Sequence, residues 1–248
     1  MNQSFYTGAI GAQQSQSRMD VYANNIANVN TTGYKAQQTV FSSLLYTNIE
    51  NINGGEEKRG TGARLMSTAT DFAQGITQIT GRAQDYMIDG DGFFALVDLN
   101  TGDVTFTRNG AFSMAELLTN TEEVDGEGNP ILASKFYLSD GNGRFVLSNL
   151  GGLIEVTDPN AVQPVGIFDY RNYDGILRLE DSRYLPVDKN GNLLRADGEL
   201  VQGALEASNV DLAEELTKVI ETQRVYSMAL KMVQTSDEIE TTINGLRG

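Results

Sequence analysis

The sequence predicts an α+β fold: long N- and C-terminal helices packed as a coiled-coil-like pair, with an all-β middle domain, a sandwich or distorted barrel, inserted between them. Three observations predict it. Apolar and small residues recur at steps of three and four at both ends of the chain. Short alternating segments separated by Gly, Asn and Asp fill the middle, and the acidic charge is concentrated there.

The first helix is expected from about Phe5 to Val29. Phe5, Gly8, Ala12, Ser15, Met19, Tyr22, Ile26 and Val29 keep a heptad spacing, the seam a helix needs to lie along another helix. Many seam residues are small or polar, so this helix cannot stabilise itself alone. It ends near Asn30-Thr-Thr-Gly33, where glycine supplies the positive φ that helix ends favour. Asn24, Asn25, Asn28 and Asn30 suit hydrogen bonds to backbone where the helix gives way to extended chain. Residues 34–75 form an extended arm, with Asn53-Gly-Gly-Glu-Glu-Lys-Arg-Gly-Thr-Gly62 as an exposed, mobile linker.

From about Ile76 to Gln202 the period changes to two. Gly90-Asp-Gly92 is a tight turn before the strand Phe93–Val97, and Asp98–Asp103 is the next turn. Arg108-Asn-Gly110 is expected to close a hairpin between Val104–Thr107 and Ala111–Met114. Further turns fall at Asp140–Gly143, Asp174-Gly175, Asn190-Gly191 and Asp197-Gly198. The last helix runs from Asn209 to Leu246, with Ser208-x-x-Asp211 as a capping box. Its seam is Leu212, Leu216, Val219, Gln223, Tyr226, Leu230 and Val233. Ile220, Met228, Met232, Ile239, Ile243 and Leu246 extend apolar character onto a second face, which implies more than one helical neighbour. The expected domains are therefore 1–33 and 204–248 as terminal helices, 34–75 as the arm and 76–203 as the β-rich part.

Composition excludes several function classes. With 18 basic against 33 acidic side chains the net charge is −15, which opposes binding to nucleic acid or an anionic bilayer. Residues 71–203 hold nine basic and 21 acidic side chains, a solvated exterior, whereas residues 1–49 carry only Arg18 and Lys35 against Asp20. Cysteine and histidine are absent, so thiolate and imidazole chemistry is unavailable. No stretch approaches the roughly 20 apolar residues of a membrane span, and no basic start followed by an apolar core marks a cleavable signal.

Three constellations invite a chemical reading. Asp188-x-Asn190-x-Asn192 with Glu199 places oxygen side chains at the first, third, fifth and twelfth positions of an EF-hand-like loop. Leu193, however, stands at the sixth, where that loop needs glycine, and a hairpin turn at Asn190-Gly191 explains the run with fewer assumptions. The Gly90-x-Gly92 pair lacks the third glycine of a dinucleotide loop. Glu122-Glu123, or Asp89 with Asp91, could serve as paired acids but have no aromatic platform, and the chain has no tryptophan. No catalytic, metal or cofactor site is expected. A calcium-dependent or carboxylate hydrolase and a secreted β-rich adhesin are the rival classes.

Ala23-Asn-Asn-Ile-Ala-Asn-Val-Asn-Thr-Thr-Gly-Tyr-Lys35 resembles the amino-terminal signature of bacterial flagellar rod and hook proteins. Gly203–Leu216, with Ser208 and Asn209, followed by Gln223-Arg-Val-Tyr226, resembles their carboxy-terminal signature. Gly90-Asp-Gly-Phe-Phe94 and Thr107-Arg-Asn-Gly-Ala-Phe112 resemble two landmarks between them. Thr39–Tyr46 and Gly60-Thr-Gly62 are similar to segments of the distal rod subunits. The run between them is shorter than in typical distal rod subunits, so a proximal rod subunit or second rod paralogue stays open, and the hook subunit less so. The resemblance implies a subunit that polymerises helically into a hollow, torque-transmitting shaft in the flagellar basal body, outside the cytoplasmic membrane. It implies other copies, neighbouring rod and hook subunits, the flagellar type III export apparatus and the bushing rings as partners, and export without a cleavable signal. In such a shaft Phe5, Ile10, Met19, Tyr22, Ile26 and Val29 are expected to meet Leu212, Leu216, Val219, Tyr226, Leu230 and Val233, within and between subunits. Asn24, Asn25, Asn28, Asn30, Gly33, Tyr34, Lys35, Ser208, Asn209, Gln223 and Arg224 carry the family motif.

Overall fold

A computed structural model of the chain describes residues 3–43, 46–50, 56–60, 63–124, 130–196 and 198–246. A helix α1 (Gln3–Ala27) opens the chain and α2 (Leu212–Gly245) closes it. Between them lie β1 (Gln37–Ser43), β2 (Tyr46–Glu50), β3 (Glu56–Gly60), β4 (Ala63–Thr70), β5 (Thr77–Ile79), β6 (Tyr86–Asp89), β7 (Phe93–Asp98) and β8 (Val104–Thr107). They are followed by β9 (Ser113–Val124), β10 (Pro130–Ser139), β11 (Arg144–Val146), β12 (Ile167–Tyr170), β13 (Leu177–Arg178) and β14 (Arg183–Leu185). The last three are β15 (Leu193–Arg195), β16 (Glu199–Gln202) and β17 (Ala204–Glu206). The expected order of helix, β-rich middle and helix is the one observed.

The chain divides into two compact units. One holds residues 1–29, 36–71 and 210–248, and the other holds 30–35 and 72–209. In the first, α1 and α2 lie side by side, and β1 pairs with β4 in antiparallel register across a bulge at Val40/Phe41. The Arg18 guanidinium sits 3.8 Å from the Phe41 ring centre, which fastens that ribbon to α1. The linker expected over Asn53–Gly62 is corrected in part: Glu56–Gly60 is a strand paired with Tyr46–Glu50. Residues 51–55, 61 and 62 lie outside the described residues, as do Leu44 and Leu45 of the distal-rod-like segment. Two paired strands satisfy backbone groups that a free linker leaves to water.

In the second unit nine strands form one branched antiparallel sheet, ordered β13-β14-β8-β7-β11-β10-β9, with β12 pairing both β7 and β15. Side chains of β7 alternate across it as period two demands. Phe94 and Leu96 join one cluster with Tyr86, Ile88, Phe112 and Leu138, and Phe93 and Ala95 join another with Phe106, Tyr170 and Tyr184. Burial on both faces explains why Phe93–Val97 reads as a continuous apolar run.

Two turn assignments are corrected. Asn109-Gly110 does not close a hairpin, because β8 pairs with β7 and β14 while β9 pairs with β10. Its role is tertiary. The Tyr86 N–H donates to the Gly110 carbonyl at 3.0 Å, and a Cβ on Gly110 would sit 1.7 Å from the Tyr86 carbonyl oxygen. Asn190-Gly191 closes no hairpin either, since β14 pairs with β13 and β8 while β15 pairs with β12; Asn190 ends a short 3-10 turn, Asp188–Asn190. Its amide donates to the carbonyls of Asn172 and Asp174 and its oxygen accepts from the Val187 N–H at 2.6 Å. A side chain so committed to backbone is withdrawn from the EF-hand-like reading, and Asp197 lies outside the described residues. The side chains of Glu122 and Glu123 are likewise outside what the structure describes.

Candidate assembly surface

The two helices run antiparallel. Ser4 and Ser236 hydroxyls meet at 2.8 Å at one end, and the Asn25 amide donates to Glu215 Oε2 at 3.0 Å at the other. Small residues of α1 set how closely they approach. Gly8, Ala12 and Ser15 are buried, and a Cβ on Gly8 would reach Val233 at 3.0 Å. Ile10, Met19, Tyr22, Ile26 and Val29 are half-buried, while Phe5 is 38% exposed.

On α2 the line that meets α1 is Glu215, Val219, Thr222, Tyr226, Ala229, Val233 and Ser236, all buried or half-buried. It shares Val219, Tyr226 and Val233 with the expected seam. Leu212, Leu216, Gln223 and Leu230 are exposed and lie off the line that meets α1. The reason is steric. Where α1 presents Gly8 and Gly11 the helices approach closely, with Val233 and Ala229 opposite, and the heptad line that meets this approach runs beside the leucine line and not along it.

The apolar side chains of α2 therefore point outward, in two stripes. At about 100° per residue, Leu212, Leu216, Ile220 and Leu230 flank one side of the α1-facing line. Val225, Met228, Met232, Ile239, Ile243 and Leu246 flank the other at steps of three, four and seven, and all ten are exposed. The helix also continues past Ser236 to Gly245, although described α1 begins at Gln3. That overhang is about 14 Å at roughly 1.5 Å per residue. Among the described residues, the buried hydrophobic side chains of this unit are Ala12 and Val210. The helices thus bury their apolar seam residues only in part and leave ten large apolar side chains of α2 exposed.

Polar side chains hold the helix ends. Asp211, not Ser208, caps α2: its carboxylate accepts from the N–H groups of Ala213 and Glu214. This corrects the capping box by one turn. Asn25, fully buried, bonds the Gln37 backbone twice at 2.9 Å, through its oxygen to the N–H and through its amide to the carbonyl. Asn28 donates to the Asn24 carbonyl at 2.9 Å, and Asn30 is exposed. Glu215 also receives Lys218 at 2.9 Å. Partial burial by itself lowers the affinity of the Lys218 ammonium for its proton, but Glu214 and Glu215 outweigh it and raise the pKa well above the ordinary lysine value. Gln223 and Arg224 of the carboxy-terminal motif are exposed.

In the second unit the rest of the motif is buried. The Lys35 ammonium donates to Glu206 Oε1 at 2.5 Å and to the Ala73 carbonyl at 2.7 Å. Glu206 accepts from the Gly75 N–H at 2.8 Å and from Arg108 at 3.3 Å, and its backbone carbonyl accepts the Gly33 N–H. Gly33 has φ +66°, and a Cβ there would come within 2.4 Å of the Asn109 nitrogen. Arg178 lies over the Tyr34 ring at 4.1 Å and donates to the Lys35 carbonyl. Ser208 is buried, and the Asn209 amide donates to the Ala73 carbonyl at 3.0 Å. Sequence reasoning missed Glu206, Glu215, Thr222, Ala229 and Ser236. The available signal was a second, polar heptad line beside the leucine one.

Among the described residues no group of three or more acidic side chains could hold a metal ion, and no helix is long and apolar enough to cross a membrane. Residues 5–35 match the family model described as flagella basal body rod protein, and residues 201–246 match that described as the flagellar basal body rod FlgEFG protein C-terminal. The chain is 33% identical to the flagellar basal-body rod protein FlgG of Bacillus subtilis, over 96% of this chain and 97% of that protein. It is 31% identical to FlgG of Buchnera aphidicola subsp. Schizaphis graminum, over 95% and 96%. It is also 31% identical to the flagellar basal-body rod protein FlgF of Caulobacter vibrioides, over 96% and 95%.

Proposed function

The chain belongs to the flagellar basal-body rod protein family, and from that premise we propose that the outward apolar stripes of α2 drive its polymerisation into the shaft. It is a structural subunit of the basal-body rod, with the distal rod favoured by the FlgG relatives. A similar FlgF relative keeps a second rod paralogue as the other reading. Its partners are other components of the flagellar hook-basal body complex.

The observation that carries the mechanism is the mismatch between apolar surface and apolar burial in the helical unit. Outward leucine, isoleucine and methionine at heptad spacing need a helical neighbour, and the described residues hold no third α-helix to offer. Another copy supplies one. Its contact is heterologous, one face on a different face, so repeated addition yields a helical polymer instead of a closed ring. Coiled-coil packing between copies, a hollow bore and torque transmission follow as parts of this reading, as do export through the type III apparatus and contact with the bushing rings. The exposed stripes are marginal in the free subunit, so the helices order fully on joining the growing end.

The experiment is complementation of a deletion strain with the Leu216→Asp/Leu230→Asp subunit, followed by electron microscopy of basal bodies. The expected result is a shaft that stops short, while thermal melting shows the β unit of the full-length variant still folded. A complete shaft would overturn the proposal.

A further inference from the structure

The sulfur chemistry of this chain is confined to seven methionines, since cysteine is absent. Their surroundings differ sharply. Met87 is 3% exposed in the β unit, and Met19 is half-buried between the helices. Met228 and Met232, one helical turn apart on the second outer stripe of α2, are 68% and 55% exposed. Their stripe neighbours Val225, Ile239, Ile243 and Leu246 are aliphatic and carry no hydrogen-bond donor on their side chains.

We propose that Met228 and Met232 are an oxidation-sensitive pair, and that their conversion to methionine sulfoxide by a peroxide blocks addition of the subunit to the growing rod. The inference rests on the reading of that stripe as a contact with another copy. In the step, the thioether sulfur takes one oxygen atom from the peroxide. The O–O bond breaks, the second oxygen leaves as water or alcohol after gaining a proton, and sulfur loses the two electrons that the peroxide gains. The product is a strongly polar acceptor in place of a flexible apolar side chain. Burying it against aliphatic neighbours leaves the new oxygen without a donor, which is costly. The two residues lie on the same stripe, so both sulfoxides enter one contact. Once the subunit is incorporated, the covering helix shields both sulfurs, so sensitivity belongs to the free subunit.

The test treats purified full-length subunit with hydrogen peroxide, maps each methionine by mass spectrometry and then follows polymerisation by sedimentation. Met228 and Met232 should oxidise well before Met19 and Met87, and the oxidised subunit should lose polymerisation. Met66 and Met114 are exposed as well, so a Met66→Leu/Met114→Leu subunit should remain as peroxide-sensitive as the natural one. A Met228→Leu/Met232→Leu subunit should polymerise to the same extent before and after peroxide, and Met228→Gln/Met232→Gln should lose polymerisation without it. Equal loss after peroxide in the leucine variant, or normal polymerisation of the glutamine variant, would overturn the proposal. If Leu216→Asp/Leu230→Asp still polymerises, the assembly reading itself fails. If it does not polymerise while the glutamine variant does, only the oxidation proposal fails.

Discussion

Lys35 and Glu206, 171 positions apart in the chain, form an ion pair at 2.5 Å with side chains 0% and 1% exposed. Arg108 and the Gly75 N–H complete the shell around the carboxylate. Such a pair is weak evidence for net stability, because desolvating both ions is costly, yet breaking one half strands the other. Lys35→Met should therefore destabilise the β unit by about 3–5 kcal/mol. Urea unfolding followed by tyrosine fluorescence measures it, as the chain has no tryptophan. The Lys35→Met/Glu206→Gln double variant should lose less than the sum of the single variants.

Gly33 and Gly81 have nearly the same backbone, φ +66° and +71°, in different surroundings. Gly81 has nothing within 4 Å of an added Cβ, whereas Gly33 has the Asn109 backbone at 2.4 Å. Gly81→Ala should cost about 1 kcal/mol, the left-handed penalty alone. Gly33→Ala should cost at least about 2 kcal/mol more, because backbone must shift. Paired thermal melts give the difference.

Asn25→Ala removes both hydrogen bonds to Gln37 and one to Glu215. The expected loss is about 2 kcal/mol in the helical unit. In polymerised subunits the Gln37 amide should exchange faster than in the unmodified protein, since its acceptor is the Asn25 oxygen. An unchanged rate would show that the asparagine does not hold the first residue of β1.

Burial pushes the Tyr184 phenol up to about 12. The unfolded chain releases that proton first, near pH 10. The stability it contributes is whole below about pH 10 and falls as pH rises towards 12, by at most ~1.4 kcal/mol per pH unit. Tyr184→Phe should flatten that part of the alkaline decline. At pH 7 it should be close to neutral, because the hydroxyl has no hydrogen-bond partner among the described residues. Urea midpoints at pH 7, 10 and 11 test both statements.

The seam of α1 is legible because Gly8, Ala12, Ser15, Met19, Tyr22 and Ile26 keep strict heptad spacing, whatever their size. On α2 the same rule selects two competing lines. Hydrophobicity ranks Leu212, Leu216 and Leu230 above Thr222, Ala229 and Ser236, while the close approach of α1 selects the smaller residues. The carboxy-terminal cap moved from Ser208 to Asp211 because Ser208 is buried in the β unit. Asn109-Gly110 reads as a hairpin locally, but its glycine is required by the Tyr86 carbonyl, which no local pattern announces. Glu206 was invisible for the same reason: its partners Lys35 and Arg108 come from distant segments.

Hydrogen exchange on the free full-length subunit and on assembled rods tests the central claim most directly. In the free subunit, protection should be weak across residues 3–29 and 212–245 and strong across 72–209, with buried Tyr34 and Lys35 following the β unit. In rods both helices should become strongly protected. Strong protection of both helices in the free subunit would contradict ordering on assembly. Exposed, fast-exchanging helices in the rod would contradict their role in holding it together.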